Sequence, residues 1–178
     1  MKVLLTMALL GLLVTVSSGM AQTLLKVGDP IPEFKLPYAT QDTVVFDGYG
    51  SADLKGKRYI IAFYPADWSS GCTKEMCTFR DGISEFENLG VTVVPISADL
   101  VFSHHEWAKN QKFPFKLLAD QTRAFGTKMG VYMPDAGMMK RSIFVVGPDG
   151  KIEYLNYNFS VKDDTDFNTL KAFLATKK

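Results

Sequence analysis

Strand-like and helix-like stretches alternate along this chain, and the alternation restricts the fold more than any other feature. Short runs rich in apolar and β-branched residues predict buried strands, and the segments between them carry apolar residues at helical spacing. The predicted strands are Arg58–Tyr64, Val91–Ser97, Phe115–Ala119, Arg141–Val146 and Lys151–Asn156. The last two strands form a hairpin around a Pro-Asp-Gly turn. We therefore predict an α/β fold with a central mixed sheet flanked by helices.

Four helices are predicted between or after these strands, over residues 72–89, 103–112, 121–129 and 163–175. The first helix has large apolar side chains on one face, namely Met76, Phe79, Ile83 and Phe86. Gly90 is expected to end it. In the second helix, Ser103 is expected to cap the N-terminus with Glu106 as its capping-box partner.

The first 21 residues have the composition of a secretory signal. Lys2 is followed by the apolar stretch Val3–Val16 and then by small residues that end at Ala21. The apolar stretch is shorter than the roughly 20 residues that a membrane span requires. We expect cleavage after Ala21. Residues 22–178 would then form one exported domain, periplasmic or secreted, with no membrane span.

The charge of this domain argues against a polyanionic partner. Removing the signal takes away Lys2 and no acidic residue, so the net charge falls from +1 to zero. No basic patch remains, and we expect no binding of nucleic acid. Residues 22–178 can bury a core of ordinary size without disulfides. Export nevertheless leaves a structural disulfide as the plain alternative for any cysteine pair.

Cys72 and Cys77 are the only cysteines, and they follow the point where a predicted strand gives way to a predicted helix. A thiol at the start of a helix faces unpaired backbone N–H groups and the positive end of the helix dipole. Both features favour the thiolate. Cys72 is therefore a candidate nucleophile.

The residues around Cys72 resemble a known family. Pro65-x-x-x-Ser69-x-x-Cys72 is similar to the peroxiredoxin signature P-x-x-x-[ST]-x-x-C of the AhpC/TSA superfamily. The residues that follow resemble the bacterioferritin-comigratory, or Q-type, branch. Further similar segments are 27–34, 53–57, 113–120 and 141–151. The resemblance implies a thioredoxin-like fold with an N-terminal extension and the activity of a thiol peroxidase.

The roles of the site residues follow from this resemblance one at a time. Cys72 matches the peroxidatic cysteine, Pro65 the proline that shields it, and Ser69 the hydroxyl that bonds the peroxide. Arg141 matches the arginine that follows after a long gap, and Cys77 matches the resolving cysteine of members with C-x4-C. The resemblance also implies a peroxide substrate, a thioredoxin-like or other dithiol reductant, and a monomer or dimer. No cofactor or metal is expected.

Attack on a peroxide bond requires an ionised sulfur. A free thiol with a pKa near 8.5 needs about 4 kcal/mol of stabilisation to be fully ionised at neutral pH. A helix N-terminus supplies at most about 2 kcal/mol. A second positive charge is therefore needed. The guanidinium of Arg141 can supply it while directing N–H donors at the peroxide oxygens.

A disulfide between the two cysteines requires a conformational change. Attack on peroxide leaves Cys72 as a sulfenic acid, which a second thiol condenses to a disulfide. Residues five apart on an intact helix are separated by roughly 8–9 Å between Cα atoms, whereas a disulfide needs about 4.4–6.8 Å. The first turns of the helix must therefore unwind if Cys72 and Cys77 bond. Met76 and Phe79 would then be partly exposed for a thioredoxin-like reductant.

Two rival functions share parts of this pattern. An exported thiol–disulfide oxidoreductase of the thioredoxin fold is expected to carry C-x2-C. A copper-delivery protein of similar fold would use C-x3-C with a distant histidine. The wider spacing between Cys72 and Cys77 counts against both.

Three titratable residues near these motifs are assigned no catalytic role. Glu75, in the first helical turn, is expected in solvent, where the helix dipole favours its negative charge. The alternative is a hydrogen bond from Glu75 to the backbone of the loop before the helix. His104 and His105 are adjacent in the chain, so their side chains diverge. Both are expected at the surface and not as ligands.

Overall fold

A seven-stranded mixed sheet forms the centre of the computed structural model, which describes residues 24–177. The signal segment predicted over residues 1–21 lies outside the described residues. In chain order the strands are β1 (Lys35–Ala39), β2 (Val44–Gly50), β3 (Arg58–Phe63), β4 (Val91–Ser97), β5 (Leu117–Ala119), β6 (Tyr132–Met133), β7 (Met138–Met139), β8 (Ser142–Val146) and β9 (Ile152–Asn156). The helices are α1 (Ser70–Asp81), α2 (Ile83–Asn88), α3 (Val101–Gln111), α4 (Ala124–Lys128) and α5 (Thr165–Ala175).

The strand order in the central sheet is β2-β1-β5-β4-β3-β8-β9, and the short strands β6 and β7 pair with each other. Strands β3, β4 and β5 are parallel and are connected by helices, whereas β8 and β9 are antiparallel to their neighbours. The β1–β2 hairpin adds to the edge of β5. The predicted α/β fold, with a central mixed sheet and an N-terminal extension, is confirmed.

Both faces of the central strands are buried, which explains their nearly continuous apolar sequences. Along β3, Ile60 and Ala62 belong to one core cluster, whereas Ile61 and Phe63 belong to another. Side chains from α1, α2, α3 and α5 complete the first cluster, and side chains from α4 and β1 contribute to the second. Cys72 belongs to the first cluster. The candidate nucleophile is thus part of the core on the face that α1 covers.

The first predicted helix is interrupted. The sequence predicts one helix over residues 72–89, but Gly82 separates α1 from α2. Gly82 has φ −95° and ψ 8°, which lies in the bridge region and outside the regular helical conformation. The apolar face is nevertheless as predicted, because Met76, Phe79 and Phe86 are buried in one cluster with Ile83 packed against it. The predicted face is confirmed and the predicted continuity is wrong.

Helix α3 begins earlier than predicted. Leu100 has an extended backbone and is the N-cap, so Ser103 lies inside the first turn and the predicted cap is wrong. The hydroxyl of Ser103 instead donates to Asp67 Oδ2 at 2.7 Å. His104 is fully buried, so its predicted surface position is also wrong. His105 is partly buried.

Strands β1, β2, β6 and β7 have no counterpart among the sequence predictions. β1 contains Pro37 and β2 contains two glycines, and both residue types disfavour strands. Pairing with neighbouring strands, more than local propensity, therefore accounts for β1 and β2. At Gly50 an added Cβ would collide with the backbone carbonyl of Phe34, so glycine is required for the two segments to approach. The other predicted elements are present, several with shorter ends.

Candidate active site

A short loop, residues 64–69, joins β3 to α1 and carries Pro65 and Ser69. Ser69 is the N-cap of α1. Its backbone is extended (φ −70°, ψ 144°), and its side-chain oxygen accepts the N–H of Cys72 at 3.4 Å. Serine is favoured at this position because its short hydroxyl reaches N–H groups that lack a partner within the helix. Cys72 therefore lies in the first turn of α1, at the positive end of the helix dipole.

The register of the sheet brings Arg141 to the same place. Phe63, at the end of β3, pairs with Ser142, at the start of β8. The residue before β8 therefore lies beside the loop that follows β3. Arg141 Nη2 donates to Cys72 Sγ at 3.3 Å. Cys72 is fully buried, so the guanidinium charge next to it is screened less than a surface charge would be.

Glu75 is the functional candidate that sequence reasoning missed. It was expected in solvent, but it is fully buried, and its Oε2 accepts a hydrogen bond from Arg141 Nη1. The available signal was its position three residues after Cys72, which places both side chains on one face of the helix. Glu75 Oε1 has no hydrogen-bond partner among residues 24–177. The guanidinium fork is thus held between a carboxylate and a sulfur.

Cys77 lies farther along the same intact helix. Both cysteines are free thiols, and Cys77 is partly buried. Its Sγ lies 3.6 Å from Gln111 Oε1. Arg80 Nη1 donates to the backbone carbonyl of Gln111 at 2.7 Å. These contacts connect the second half of α1 to the end of α3. In this conformation Cys77 forms no disulfide with Cys72.

The structure therefore brings together three of the five predicted site residues, namely Ser69, Cys72 and Arg141. Pro65 lies partly buried in the same loop. Within residues 24–177 no group of His, Cys, Asp or Glu is arranged to hold a metal ion. No helix in that range has the length and apolar character needed to cross a bilayer.

The arrangement places positive charge and N–H donors beside a buried sulfur. The helix N-terminus and Arg141 supply positive charge at Cys72, while Glu75 neutralises part of that charge and fixes the guanidinium. Such a site suits nucleophilic attack by sulfur on a group from which oxygen leaves as an anion.

Comparison with known proteins points to the same chemistry. The sequence model of the AhpC/TSA family matches residues 27–155. A Clostridium pasteurianum protein named as a peroxiredoxin in the rubredoxin operon is 31% identical over 159 residues, which are 83% of this chain and 88% of that protein. A Coxiella burnetii protein named as peroxiredoxin bcp is 35% identical over 134 residues, 72% of this chain and 85% of that protein.

The solved structures agree. The crystal structure of peroxidoxin BcpB from Mycobacterium tuberculosis is 30% identical, has a TM-score of 0.73, and covers 86% of this chain and 99% of its own. The fold and the site together define a thiol-dependent peroxidase with a thioredoxin-like structure. The chain belongs to the AhpC/TSA family, and its relatives include peroxiredoxins of the bcp and Q types.

Proposed function

We propose that the protein reduces hydrogen peroxide and organic hydroperoxides by attack of the Cys72 thiolate on the peroxide bond. The observation that carries this proposal is the 3.3 Å contact between Arg141 Nη2 and Cys72 Sγ at the start of α1. The sulfur donates an electron pair to one oxygen as the O–O bond breaks. Cys72 becomes a sulfenic acid, and the other oxygen leaves as hydroxide or alkoxide and takes up a proton from solvent.

Ser69 and Arg141 are the proposed peroxide-binding residues. The Ser69 hydroxyl accepts the N–H of Cys72 at the helix cap and donates to the backbone carbonyl of Ala66 at 3.2 Å. To donate to a peroxide oxygen, the hydroxyl would turn its proton away from that carbonyl. The guanidinium carries N–H donors beyond those directed at Glu75 and Cys72. Donors aimed at a developing oxyanion contribute about 10²–10³-fold each. Pro65, in the same loop, is proposed to shield the sulfur from water.

Glu75 is proposed to position Arg141 and not to act on the peroxide itself. A buried carboxylate without its cation is costly by several kcal/mol. The guanidinium therefore cannot move away from the helix without leaving Glu75 unpaired. This restricts Arg141 to the orientation in which Nη2 faces Cys72.

Cys77 is proposed to attack the Cys72 sulfenic acid, which forms the disulfide and releases water. A dithiol reductant of the thioredoxin type then restores both thiols by thiol–disulfide exchange. The cysteines lie on one continuous helix in the reduced protein. The second step therefore requires α1 to unwind and the contact between Cys77 and Gln111 to break.

Cys77→Ser is expected to keep the first oxidation and to lose rapid turnover. The variant retains Cys72 and Arg141, so one equivalent of peroxide should still be consumed, but the sulfenic acid has no internal thiol to condense with. Stopped-flow tryptophan fluorescence should show the parent's first phase and no second phase, because half-exposed Trp68 precedes Cys72 by four residues in the chain. Excess peroxide should then add a second oxygen to Cys72, giving sulfinic acid detectable by mass.

A Cys77→Ser protein that cycles at the parent rate would contradict the assignment of Cys77 and leave that of Cys72 intact. A parent protein that exchanges disulfides but leaves hydrogen peroxide unchanged would instead support the rival oxidoreductase function. Cys77→Ala is a suitable companion variant because it separates loss of the thiol from any new hydrogen bond that serine makes to Gln111.

We also propose that the enzyme works outside the cytoplasm. The support is the signal-like composition of residues 1–21. When the full chain is expressed in a bacterial host, the mature protein is expected in the exported fraction. Its measured mass should be that of a chain whose first residue is Gln22. Recovery of only the full-length chain in the cytoplasm would overturn this proposal without affecting the chemistry at Cys72.

A further inference from the structure

A group of buried polar side chains lies directly beneath the loop that carries Ser69. Its centre is a pair formed by Asp67, within that loop, and His104, on α3. The side chains of Asp67 and His104 are 1% and 0% exposed, and His104 Nδ1 lies 2.8 Å from Asp67 Oδ2. The mechanism proposed above uses neither residue.

Two hydroxyl groups donate to the Asp67 carboxylate, and a ring nitrogen of His104 lies beside it. Ser103 Oγ donates to Oδ2 at 2.7 Å and the Tyr64 hydroxyl donates to Oδ1 at 2.9 Å, while His104 Nδ1 lies 2.8 Å from Oδ2. Burial, and next the nearby Asp67 charge, raise the pKa of Tyr64 well above its ordinary value. The Tyr64 hydroxyl therefore remains a donor throughout the neutral range. Both oxygens of the carboxylate are thus held from the core side of the loop.

The imidazole of His104 is itself held from two sides. Nδ1 faces Asp67, and Nε2 lies 3.2 Å from the backbone oxygen of Leu118 in β5. The ring therefore connects the loop to the central sheet. The next residue, His105, points elsewhere, since its Nδ1 lies 2.8 Å from the backbone oxygen of Thr40.

The backbone of Asp67 passes this restraint to Ser69. The N–H of Asp67 donates to Asp99 Oδ2 at 2.9 Å, and its carbonyl accepts the N–H of Ser69 at 2.8 Å. Between them, Trp68 adopts φ +62°, a left-handed conformation that costs a large side chain of order 1–3 kcal/mol unless its surroundings hold it. Trp68 Nε1 donates to Ser103 Oγ at 3.3 Å, so the same buried group also holds the strained residue.

Stability alone does not explain a buried pair in this place. A buried polar pair, even one that is charged, is often no more stabilising than apolar side chains of similar volume. The pair between Asp67 and His104 does, however, restrict the loop to one conformation, because Oδ2 of Asp67 and both ring nitrogens of His104 lie within hydrogen-bond distance of a partner. The conformation that it fixes is the one in which the Ser69 hydroxyl accepts the N–H of Cys72.

We propose that Asp67 and His104 are positioning residues for peroxide reduction: they hold the loop so that the Ser69 hydroxyl faces the oxygen being displaced at Cys72. This inference rests on the proposed function of Cys72 and Ser69. The pair does not contact the sulfur. It acts on the placement of a hydrogen-bond donor, and misplacement by about 1 Å can cost up to about 10²-fold in rate.

The test compares two rate constants in His104→Gln, with His105→Gln as the matched control. One is the rate of oxidation of reduced protein by hydrogen peroxide, and the other is the rate of alkylation by iodoacetamide at the same pH. His104→Gln is expected to slow oxidation by at least about tenfold, with alkylation within about threefold of the parent because Arg141 and the helix end remain. His105→Gln should leave both rates unchanged.

Ser103→Ala keeps the proposal testable if His104→Gln does not fold. This variant removes one donor to Asp67 and the acceptor of Trp68 Nε1 while leaving the buried pair in place, and it should slow oxidation by roughly threefold or more without a matching loss in alkylation. Circular dichroism and thermal melting establish that each variant is folded at the assay temperature.

The possible outcomes separate this inference from the proposed function. Oxidation at the parent rate in folded His104→Gln or Ser103→Ala overturns the inference. Equal losses of oxidation and alkylation also overturn it, because the residues would then act on the sulfur or on the whole fold. If Cys72→Ser still consumed peroxide, the proposed function itself would fail, whatever the result for His104.

Discussion

Cys72→Ser is expected to abolish peroxide reduction. Serine has nearly the same size as cysteine and keeps the N-cap contact to Ser69, but its hydroxyl is not ionised at neutral pH and cannot form a sulfenic acid. Consumption of hydrogen peroxide by the reduced variant, supplied with dithiothreitol, should fall to the rate of dithiothreitol alone.

Met76→Leu serves as the control for this loss. Met76 is buried on α1 one turn beyond Cys72, and the exchange nearly conserves volume, so it should cost less than about 1.5 kcal/mol of stability. Peroxide consumption in Met76→Leu should stay near that of the parent. If Cys72→Ser were folded and cleared peroxide as fast as Met76→Leu, the chemistry proposed for Cys72 would be wrong.

Arg141→Lys is expected to lower the rate constant for peroxide by about 10²-fold, within the range for loss of an oxyanion donor. Lysine keeps one positive charge but lacks the planar fork that reaches Glu75 and Cys72 together. Alkylation by iodoacetamide should therefore fall much less than oxidation by peroxide. Arg141→Ala removes the charge as well, so both rates should fall, and the buried Glu75 carboxylate should also lower thermal stability.

Arg58→Lys is the matched control for this prediction. Arg58 begins β3 at the end of the strand away from the loop, and it pairs with Glu153, with Nε 2.8 Å from Oε2. The same exchange of a paired arginine is thus made far from Cys72. Arg58→Lys should oxidise at the parent rate, and a parent rate in Arg141→Lys would show that the fork at Cys72 is not needed.

The layered fold could be predicted from local patterns, because buried strands such as β4 leave an unbroken apolar run in the sequence. The contact between Arg141 and Cys72 could not be predicted in that way. It depends on Phe63 lying opposite Ser142 in the sheet, and pairing over that distance in the chain leaves no local signal. Only resemblance to a family suggested it.

The errors concern polar residues in the interior. A pattern analysis places charged side chains in solvent, since burying them is costly unless they are paired. Glu75 is buried because Arg141, the residue before β8, reaches it, and His104 is buried because Asp67 reaches it from the loop. In both cases the partner is distant in the chain. The expectation that burying an unpaired polar side chain is costly was therefore correct. The partners that offset this cost could not be identified from neighbouring residues in the sequence.

The interruption at Gly82 limits how far a redox cycle must disturb the protein. Because α2 is a separate segment with Phe86 in the core, α1 can lose its helical hydrogen bonds while the chain beyond residue 82 keeps its packing. The helical hydrogen bonds that the proposed disulfide step breaks are then those of one twelve-residue segment. The packing that it disturbs reaches farther, because Met76 and Phe79 share one core cluster with Ile60 and Ala62 of β3. Substitutions at these contacts should therefore change the rate of the disulfide step and the thermal stability together.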